Sequence, residues 1–269
     1  MVAEVRLEDL QDDLAAIGVR EGQCLEGHSS LRRIGPVEGG AATVIEALTG
    51  VLGTSGTLVM SAYPLSPPIP LTNEERETGI DWKIRRIQEN STERTGMGAV
   101  SDVFRNRPDV VLGKGIHRVW ARGRNAQAHA SGHKRLVASD GRALLIGVDI
   151  DRCSSLHLSE ATKITVKARA LMDQRWGPKA PVLINDEVRN RYPSEIVLGT
   201  EKGWKTGDPW TNARDEAARK LLIRRGLIGN GDNMFFKLID LLTFVREVRQ
   251  EGPFPDNAPL TFERQRGSC

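Results

Sequence analysis

Short apolar runs that alternate with helical segments constrain the fold of this chain more than any other feature. Residues 23–27 are short and could form a strand, and the apolar residues 57–60 are typical of one. Between them, residues 41–52 place apolar side chains at positions 41, 44, 45, 48, 51 and 52, which is the spacing of an amphipathic helix. Because strand, helix and strand follow in this order, the sequence predicts a parallel sheet.

The remaining apolar patterns extend this prediction to one α/β domain. Further helices are expected at residues 7–17, 98–105, 215–225 and 237–248, and a buried strand at 141–148. Residues 181–188 are typical of a hairpin with its turn at Asn185 and Asp186, and the charged segment 73–94 is expected to be mobile or partly helical. These patterns predict a single domain with a mixed, largely parallel central sheet flanked by helices, and antiparallel additions in the C-terminal third.

The composition narrows the class of protein. Of 269 residues, 39% are hydrophobic and 27% charged, which predicts a soluble globular protein. No apolar run approaches the roughly 20 residues of a membrane span, and residues 1–13 lack the features of a signal peptide, so a cytoplasmic protein without a membrane partner is expected. The net charge of +3 is dispersed and aromatic residues make up 5%, which disfavours nucleic-acid binding. No CxxC or HExxH spacing occurs, so no metal is expected.

The segment 153–160, Cys-Ser-Ser-Leu-His-Leu-Ser-Glu, carries the clearest chemical signal and follows the predicted strand 141–148 after four residues. On a helix, His157 and Glu160 share one face, where the carboxylate would orient the imidazole as a base. Ser154 and Ser155 lie one turn earlier, among hydroxyls and unpaired backbone amides that could face an oxyanion. A capped helix with a surface His–Glu pair remains the alternative interpretation.

Several segments, taken in order, carry a family resemblance. They are HSSLRRIG at 28–35 with GGA at 39–41, GTLVM at 56–60, TGMG at 95–98 with VFR at 103–105 and Pro108, and LLIGV at 144–148 with SSLHLSE at 154–160. In order and spacing they resemble the aminoglycoside 3-N-acetyltransferase family, whose α/β fold differs from that of the GNAT acetyltransferases. The match extends over roughly residues 5–170, and the C-terminal third matches loosely at 226–229 and 238–248.

The resemblance implies direct transfer of an acetyl group from acetyl-CoA to the amine of an aminoglycoside or a similar small molecule. His157 would be the general base, Glu160 would hold its ring, and Ser154 or Ser155 would donate to the thioester oxygen. Simple capping by the two serines remains open. Cys153 could serve as a thiolate nucleophile, but an inert buried thiol is favoured.

The resemblance also implies two binding regions. Acetyl-CoA would be bound by His28, Ser29, Ser30, Leu31, Arg32, Thr95 and Gly96. The acceptor would be bound by Tyr63, His117 and His133. His28 could instead be a turn histidine satisfied by backbone. His117 is followed by Arg118 where the family usually has proline, and residues 131–138 lack the Ser-Pro pair of the family, so packing roles for both acceptor histidines stay open.

The expected organisation is one acetyltransferase domain over residues 1–269, with a CoA and catalytic core at 5–170, a C-terminal sub-region at 171–251 and a loose tail at 252–269. The partner is a small-molecule amine, with a homodimer considered as the assembly. An aminoglycoside pocket should be rich in carboxylates, yet bases are interspersed among the acids of residues 74–86. A different biosynthetic amine and a CoA-binding homologue without activity therefore remain alternatives. A serine hydrolase is disfavoured because the GxSxG elbow is missing.

Overall fold

A seven-stranded mixed sheet forms the centre of the molecule. The computed structural model describes residues 4–61, 63–88, 91–113, 118–156, 158, 170, 186–199, 217–218 and 220–248. In chain order the strands of these residues are β1 (Cys24–Ser29), β2 (Thr57–Ser61), β3 (Trp82–Arg85), β4 (Val111–Leu112), β5 (Val119–Gly123), β6 (Arg142–Ile146), β7 (Ile196–Gly199), β8 (Arg224–Ile228) and β9 (Gly231–Lys237).

The large sheet has the order β4-β5-β2-β1-β6-β9-β8, and β3 pairs with β7 in a separate two-stranded sheet. Strand β1 is parallel to both of its neighbours, β2 and β6. The outer pairings of the large sheet are antiparallel. The parallel centre and the C-terminal strands β8 and β9 confirm the predicted fold class. The structure adds antiparallel strands β5 and β4 at the opposite edge.

Helices cover both faces of the sheet. In chain order they are α1 (Leu7–Ile17), α2 (Leu31–Ile34), α3 (Ala41–Leu52), α4 (Asn73–Glu77), α5 (Ala99–Arg105), α6 (Ala126–His129), α7 (His133–Ala138), α8 (Asp186–Arg189) and α9 (Leu238–Val248). Among the described helices, none has the length and apolar character needed to cross a bilayer.

The two hydrophobic cores follow from the alternation of side chains along the strands. In β6, Leu144 and Ile146 pack into the core formed with α1, α3 and α5, whereas Ala143 and Leu145 pack into the core formed with α6, α7 and α9. Successive side chains of a strand point to opposite faces. A strand buried on both faces therefore appears in the sequence as a continuous apolar run, which is the pattern of residues 141–148.

Four helices lie where the sequence predicts them, and two other elements differ. Helices α1, α3, α5 and α9 confirm their predictions to within one residue. The hairpin predicted at 181–188 is wrong in its described part, because Asp186–Arg189 is helical; residues 181–185 lie outside the described ranges. The helix predicted at 215–225 is wrong at its end, because Arg224–Ile228 pairs with β9 as an edge strand. The apolar spacing of that segment fits a helix, but its hydrogen bonds to β9 determine its structure.

A buried carboxylate fastens the charged segment 73–94 to the second sheet. Glu75 on α4 accepts hydrogen bonds from Lys83 Nζ at 2.5 Å and from the Tyr192 hydroxyl at 2.9 Å. It also accepts from the backbone amide of Thr72 at 2.7 Å, in a capping box that begins α4. The hydrogen bond from Lys83 is the main reason that the pKa of Glu75 is lowered to about 2. A large part of the predicted excursion is thus regular structure, with α4 and β3 both held by this residue.

We expect Glu75→Gln to remove a part of the stability of the protein that depends on pH. A carboxyl group whose pKa is lower in the folded state than in the unfolded state stabilises the fold at every pH above its unfolded-state pKa. For Glu75 that pKa is 4.5, and the stabilisation is lost as the pH falls from 4.5 towards about 2. The gap in melting temperature between wild type and variant should therefore be widest at neutral pH and narrow below pH 4.5. Thermal unfolding at neutral pH and at two acidic values below 4.5 measures it, with the exposed Glu77→Gln on the same helix as control. A gap that stays constant with pH would contradict this assignment.

Candidate active site

A cleft of about 1500 Å³ opens at the carboxyl ends of the central parallel strands. Strands β1 and β6 run side by side, with Ser29 opposite Ile146, so the segments that leave them start at the same edge of the sheet. This edge is where open α/β sheets bind their ligands. The cleft is bounded by the end of β1 and α2, by residues 63–65, by residues 96–99 at the start of α5, and by the loop after β6.

Gly147 allows α2 to approach the end of β6 closely. Its φ is +63°, a left-handed conformation that favours glycine, and a Cβ at this position would collide with Cβ of Arg33 on α2. The glycine directly after β6 therefore allows α2 to lie against this end of the strand, beside the cleft.

The cleft brings together residues from all three predicted groups. From the predicted CoA-binding residues, His28, Ser29, Ser30, Leu31, Arg32 and Gly96 line it. From the predicted acceptor-binding and catalytic residues, Tyr63 and Ser154 line it. Thr95 lies beside it and lines a small adjoining pocket with Tyr63. The Thr95 hydroxyl donates to Asp102 Oδ1 at 2.8 Å, so it helps to fix the segment before α5.

The other predicted site residues lie elsewhere or outside the described ranges. Ser155 and His133 are buried and do not line the cleft; they contact each other behind it, with Ser155 Oγ 3.1 Å from His133 Nδ1. His117, His157 and Glu160 lie outside the described residues. Of the two serines that the sequence offers as an oxyanion donor, Ser154 is the one placed at the cleft.

The Ser154 hydroxyl is positioned by a second serine. Ser61, at the end of β2, donates its hydroxyl hydrogen to Ser154 Oγ at 2.6 Å, and Ser101 on α5 donates to the Ser61 carbonyl at 3.2 Å. With one lone pair of Ser154 Oγ engaged by Ser61, its own hydrogen can point to a cleft ligand. Ser61 is not among the site residues predicted from the sequence. The sequence signal that could have found it is its place at the end of a strand next to β1.

Glu26 is the centre of a buried network beneath this edge of the sheet. It is fully buried in β1 and accepts from His28 Nε2 at 2.8 Å, from the Ser155 amide at 3.2 Å and from the Ser155 hydroxyl. His133 Nδ1 lies 3.4 Å from the same carboxylate. Since an ionised carboxylate can only accept, His28 Nε2 and the Ser155 hydroxyl both carry the shared hydrogen. Because Ser155 Oγ uses its hydrogen on Glu26, it accepts from His133.

The surroundings of Glu26 keep it ionised. Burial is the largest influence and by itself raises the pKa of the carboxyl. The charge of His133, hydrogen bonding and charge from His28, and the hydrogen bond from Ser155 act in the other direction and together lower the pKa to about 2. These donors supply the hydrogen bonds that a buried carboxylate needs in place of water. Glu26 is not among the residues predicted from the sequence, although a lone acid inside an apolar strand is itself a signal for buried polar chemistry.

Cys153 shares this buried network, and its environment argues against a thiolate. Burial, with the nearby charge of Glu26, raises the pKa of the Cys153 thiol well above its usual value. Only the thiolate is a good nucleophile, so an inert thiol is the better description. Glu26, His28 and Cys153 bring three metal-ligand types within 4.8 Å. Both oxygens of Glu26 are already occupied by protein donors, so the contacts describe a hydrogen-bond network.

The described lining of the cleft is strongly basic. It contains Arg32, Arg33, Arg86, Arg94, Arg118 and Arg152, against Asp149 and Asp151. Guanidinium groups pair well with phosphates and carboxylates. This part of the cleft is therefore suited to a ligand that carries several negative charges.

Comparisons with known proteins agree with the geometry. The family model described as aminoglycoside 3-N-acetyltransferase matches residues 28–250. Aminoglycoside N(3)-acetyltransferase III of Serratia marcescens is 32% identical over 262 residues, covering 88% of this chain and 94% of that protein. Aminoglycoside N(3)-acetyltransferase VII of Streptomyces paromomycinus is 27% identical, covering 87% and 88%.

Solved structures share the fold. A mutant of aminoglycoside acetyltransferase AAC(3)-IVa in complex with apramycin superimposes with a TM-score of 0.65 at 23% identity, over the full length of both chains. YokD of Bacillus subtilis superimposes with a TM-score of 0.62 at 20% identity, over 92% of this chain and 94% of that one. Fold and relatives together make this protein an acyltransferase. The chain belongs to the aminoglycoside 3-N-acetyltransferase family, which confirms the resemblance seen in the sequence.

Proposed function

We propose that this protein transfers the acetyl group of acetyl-CoA to an amine of an aminoglycoside. The observation that carries the proposal is the meeting of residues 28–32 with Ser154 in one cleft, in a chain of this family. The relatives are named for acetylation of aminoglycosides, and solved relatives were crystallised with a gentamicin and with apramycin. Both substrates would occupy the cleft together, so that much of the rate would come from holding them in contact.

The acyl donor would be held by its negative charges. Acetyl-CoA carries phosphates, and the arginines of the cleft offer the charge that such a ligand needs. Arg32 on α2, with the polar residues Ser29 and Ser30 at the end of β1, would bind it on one side. Gly96 would form the opposite wall, where a side chain would meet the Ser66 carbonyl.

The chemistry requires a base and an oxyanion donor. The amine nitrogen attacks the thioester carbon, a base removes the proton of that nitrogen, the carbon–sulfur bond breaks, and the CoA thiolate leaves and is protonated. We assign the base to His157 and its orientation to Glu160. Negative charge grows on the thioester oxygen during the attack, and the hydroxyl or amide of Ser154 would stabilise it.

The test is CoA release from acetyl-CoA, followed with a thiol reagent, against aminoglycosides and simple amines. Turnover with an aminoglycoside, and an acetylated product of the matching mass, is the expected result. Binding of acetyl-CoA without turnover on any amine would overturn the proposal and favour a homologue that only binds CoA. A CoA analogue that lacks the thiol should inhibit this release in competition with acetyl-CoA.

One observation favours a second candidate acceptor. Six arginines and two aspartates line the described part of the cleft, a balance that repels a polycation. Acetylation of a less cationic amine, such as one that also carries a carboxylate or phosphate, would suit this charge better. Turnover restricted to such amines in the same panel would select this candidate.

A further inference from the structure

We propose that Glu26 is a positioning residue for acetyl transfer, which holds the 153–155 turn and His28 in place at the cleft. This inference rests on the proposed function. Glu26 is fully buried and does not line the cleft, so it cannot touch either substrate. Its influence must pass through the residues that it binds.

Three separate parts of the chain meet at the Glu26 carboxylate. Oε1 accepts from His28 Nε2 in the same strand and from the Ser155 amide, and Oε2 accepts from the Ser155 hydroxyl. His133, the first residue of α7, approaches Oε1 at 3.4 Å and contacts the Ser155 hydroxyl. One side chain therefore connects β1, the turn after β6, and α7.

These bonds fix two residues that face the cleft. The first is Ser154, whose hydroxyl we assign to the thioester oxygen. Its neighbour Ser155 is held by Glu26 through both its amide and its hydroxyl, which fixes the backbone at Ser154. The second is His28, whose ring is oriented because its Nε2 hydrogen points to Glu26. The Ser154 amide lies 3.4 Å from the same nitrogen, which places the turn directly against the His28 ring. Donors held in advance at the reacting oxygen are what lowers the barrier of acyl transfer.

The network requires a carboxylate and not merely a polar side chain of this size. The His28 ring, the Ser155 amide and the Ser155 hydroxyl all donate to Glu26, and a glutamine would offer one oxygen and an NH₂ group that cannot accept. In Glu26→Gln, the NH₂ group would face either the Ser155 hydroxyl, which would have to turn its own hydrogen away, or the His28 ring and the Ser155 amide, which would have to move. Geometry changes of about 1 Å near the reacting atoms are enough to cost roughly 10²-fold in rate.

The experiment compares Glu26→Gln with a matched control, Thr57→Val. Thr57 is equally buried in the neighbouring strand, and its hydroxyl bonds the Arg124 carbonyl away from the cleft. We expect kcat of Glu26→Gln to fall by roughly 10- to 100-fold while KM for acetyl-CoA changes by less than about threefold. Thr57→Val should retain kcat even when its melting temperature falls as much. Equal kcat in wild type and Glu26→Gln, or an equal loss of kcat in Thr57→Val, would overturn the inference.

Hydrogen exchange of the peptide that contains residues 153–156 tests positioning without any substrate. Amide protection there should fall in Glu26→Gln and stay unchanged in Thr57→Val; unchanged protection in both contradicts the inference. If the wild type acetylates no amine, the proposed function fails, and the exchange result still decides the positioning claim. If Glu26→Gln does not fold, Ser155→Ala replaces it in the experiment, because it removes one hydrogen bond to the Glu26 carboxylate. We expect Ser155→Ala to lower both kcat and the amide protection of residues 153–156.

Discussion

Replacement of His157 by alanine should nearly abolish acetyl transfer. Loss of a positioned general base typically costs roughly 10²- to 10⁴-fold, and we expect kcat for CoA release to fall by about that factor. KM for acetyl-CoA should change little, because a base that acts on the amine has no role in binding the donor. The measurement is steady-state CoA release with the best acceptor found in the panel.

A second histidine serves as the control for this experiment. His129 is buried on α6, its ring contacts the Cys24 sulfur at 3.3 Å, and neither residue lines the cleft. His129→Gln should keep the wild-type kcat below its melting temperature. If His157→Ala retains activity, His157 is not the general base, and the amine must lose its proton to solvent.

Ser154→Ala should lower kcat by roughly 10²- to 10³-fold, the usual cost of removing one oxyanion donor. The effect falls on the transition state, because the thioester oxygen gains its charge only there, so KM for acetyl-CoA should be nearly unchanged. Ser61→Ala removes the hydrogen bond that orients the Ser154 hydroxyl, and we expect a smaller loss of about tenfold. Rates with acetyl-CoA under saturating acceptor give both numbers.

The matched control for Ser154→Ala is a serine on the protein surface that does not line the cleft. Ser131 is exposed and donates to the Ala128 carbonyl at 2.7 Å. Ser131→Ala should leave kcat at the wild-type value. If Ser154→Ala also keeps that value, the oxyanion contact is made by backbone amides, and the Ser154 hydroxyl has no part in the reaction.

The regular elements were predictable where one physical signal dominates. Helices α1, α3 and α9 each present an apolar stripe at helical spacing, and α1 ends at Gly18 in the left-handed conformation. The segment that becomes β8 carries a weaker local signal, since Arg224 and Arg225 fit an exposed helix as well as an edge strand. Its structure is decided by pairing with β9, which no local pattern reveals.

The site was predictable only in part, for a similar reason. His28 and Ser154 belong to segments that can be recognised from their own neighbours in sequence, and the structure places both at one cleft. The meaning of Glu26 depends on Ser155 and His133, which are far away in the chain. A lone acid in a strand can signal buried polar chemistry, but it does not show which residues the acid binds. The fold is needed to show that its partners arrive from two other elements.

The long span between Glu26 and Ser155, 129 residues, has a consequence for synthesis of the protein in the cell. Ribosomes add about 5–20 residues per second, so on the order of 10 s separate the emergence of β1 from that of the turn it must bind. For most of that interval β1 lacks its neighbour β6, and one wall of the cleft does not exist. A nascent chain therefore lacks the complete cleft, and stabilisation of the fold by a cleft ligand begins only after the turn of residues 153–155 has been made.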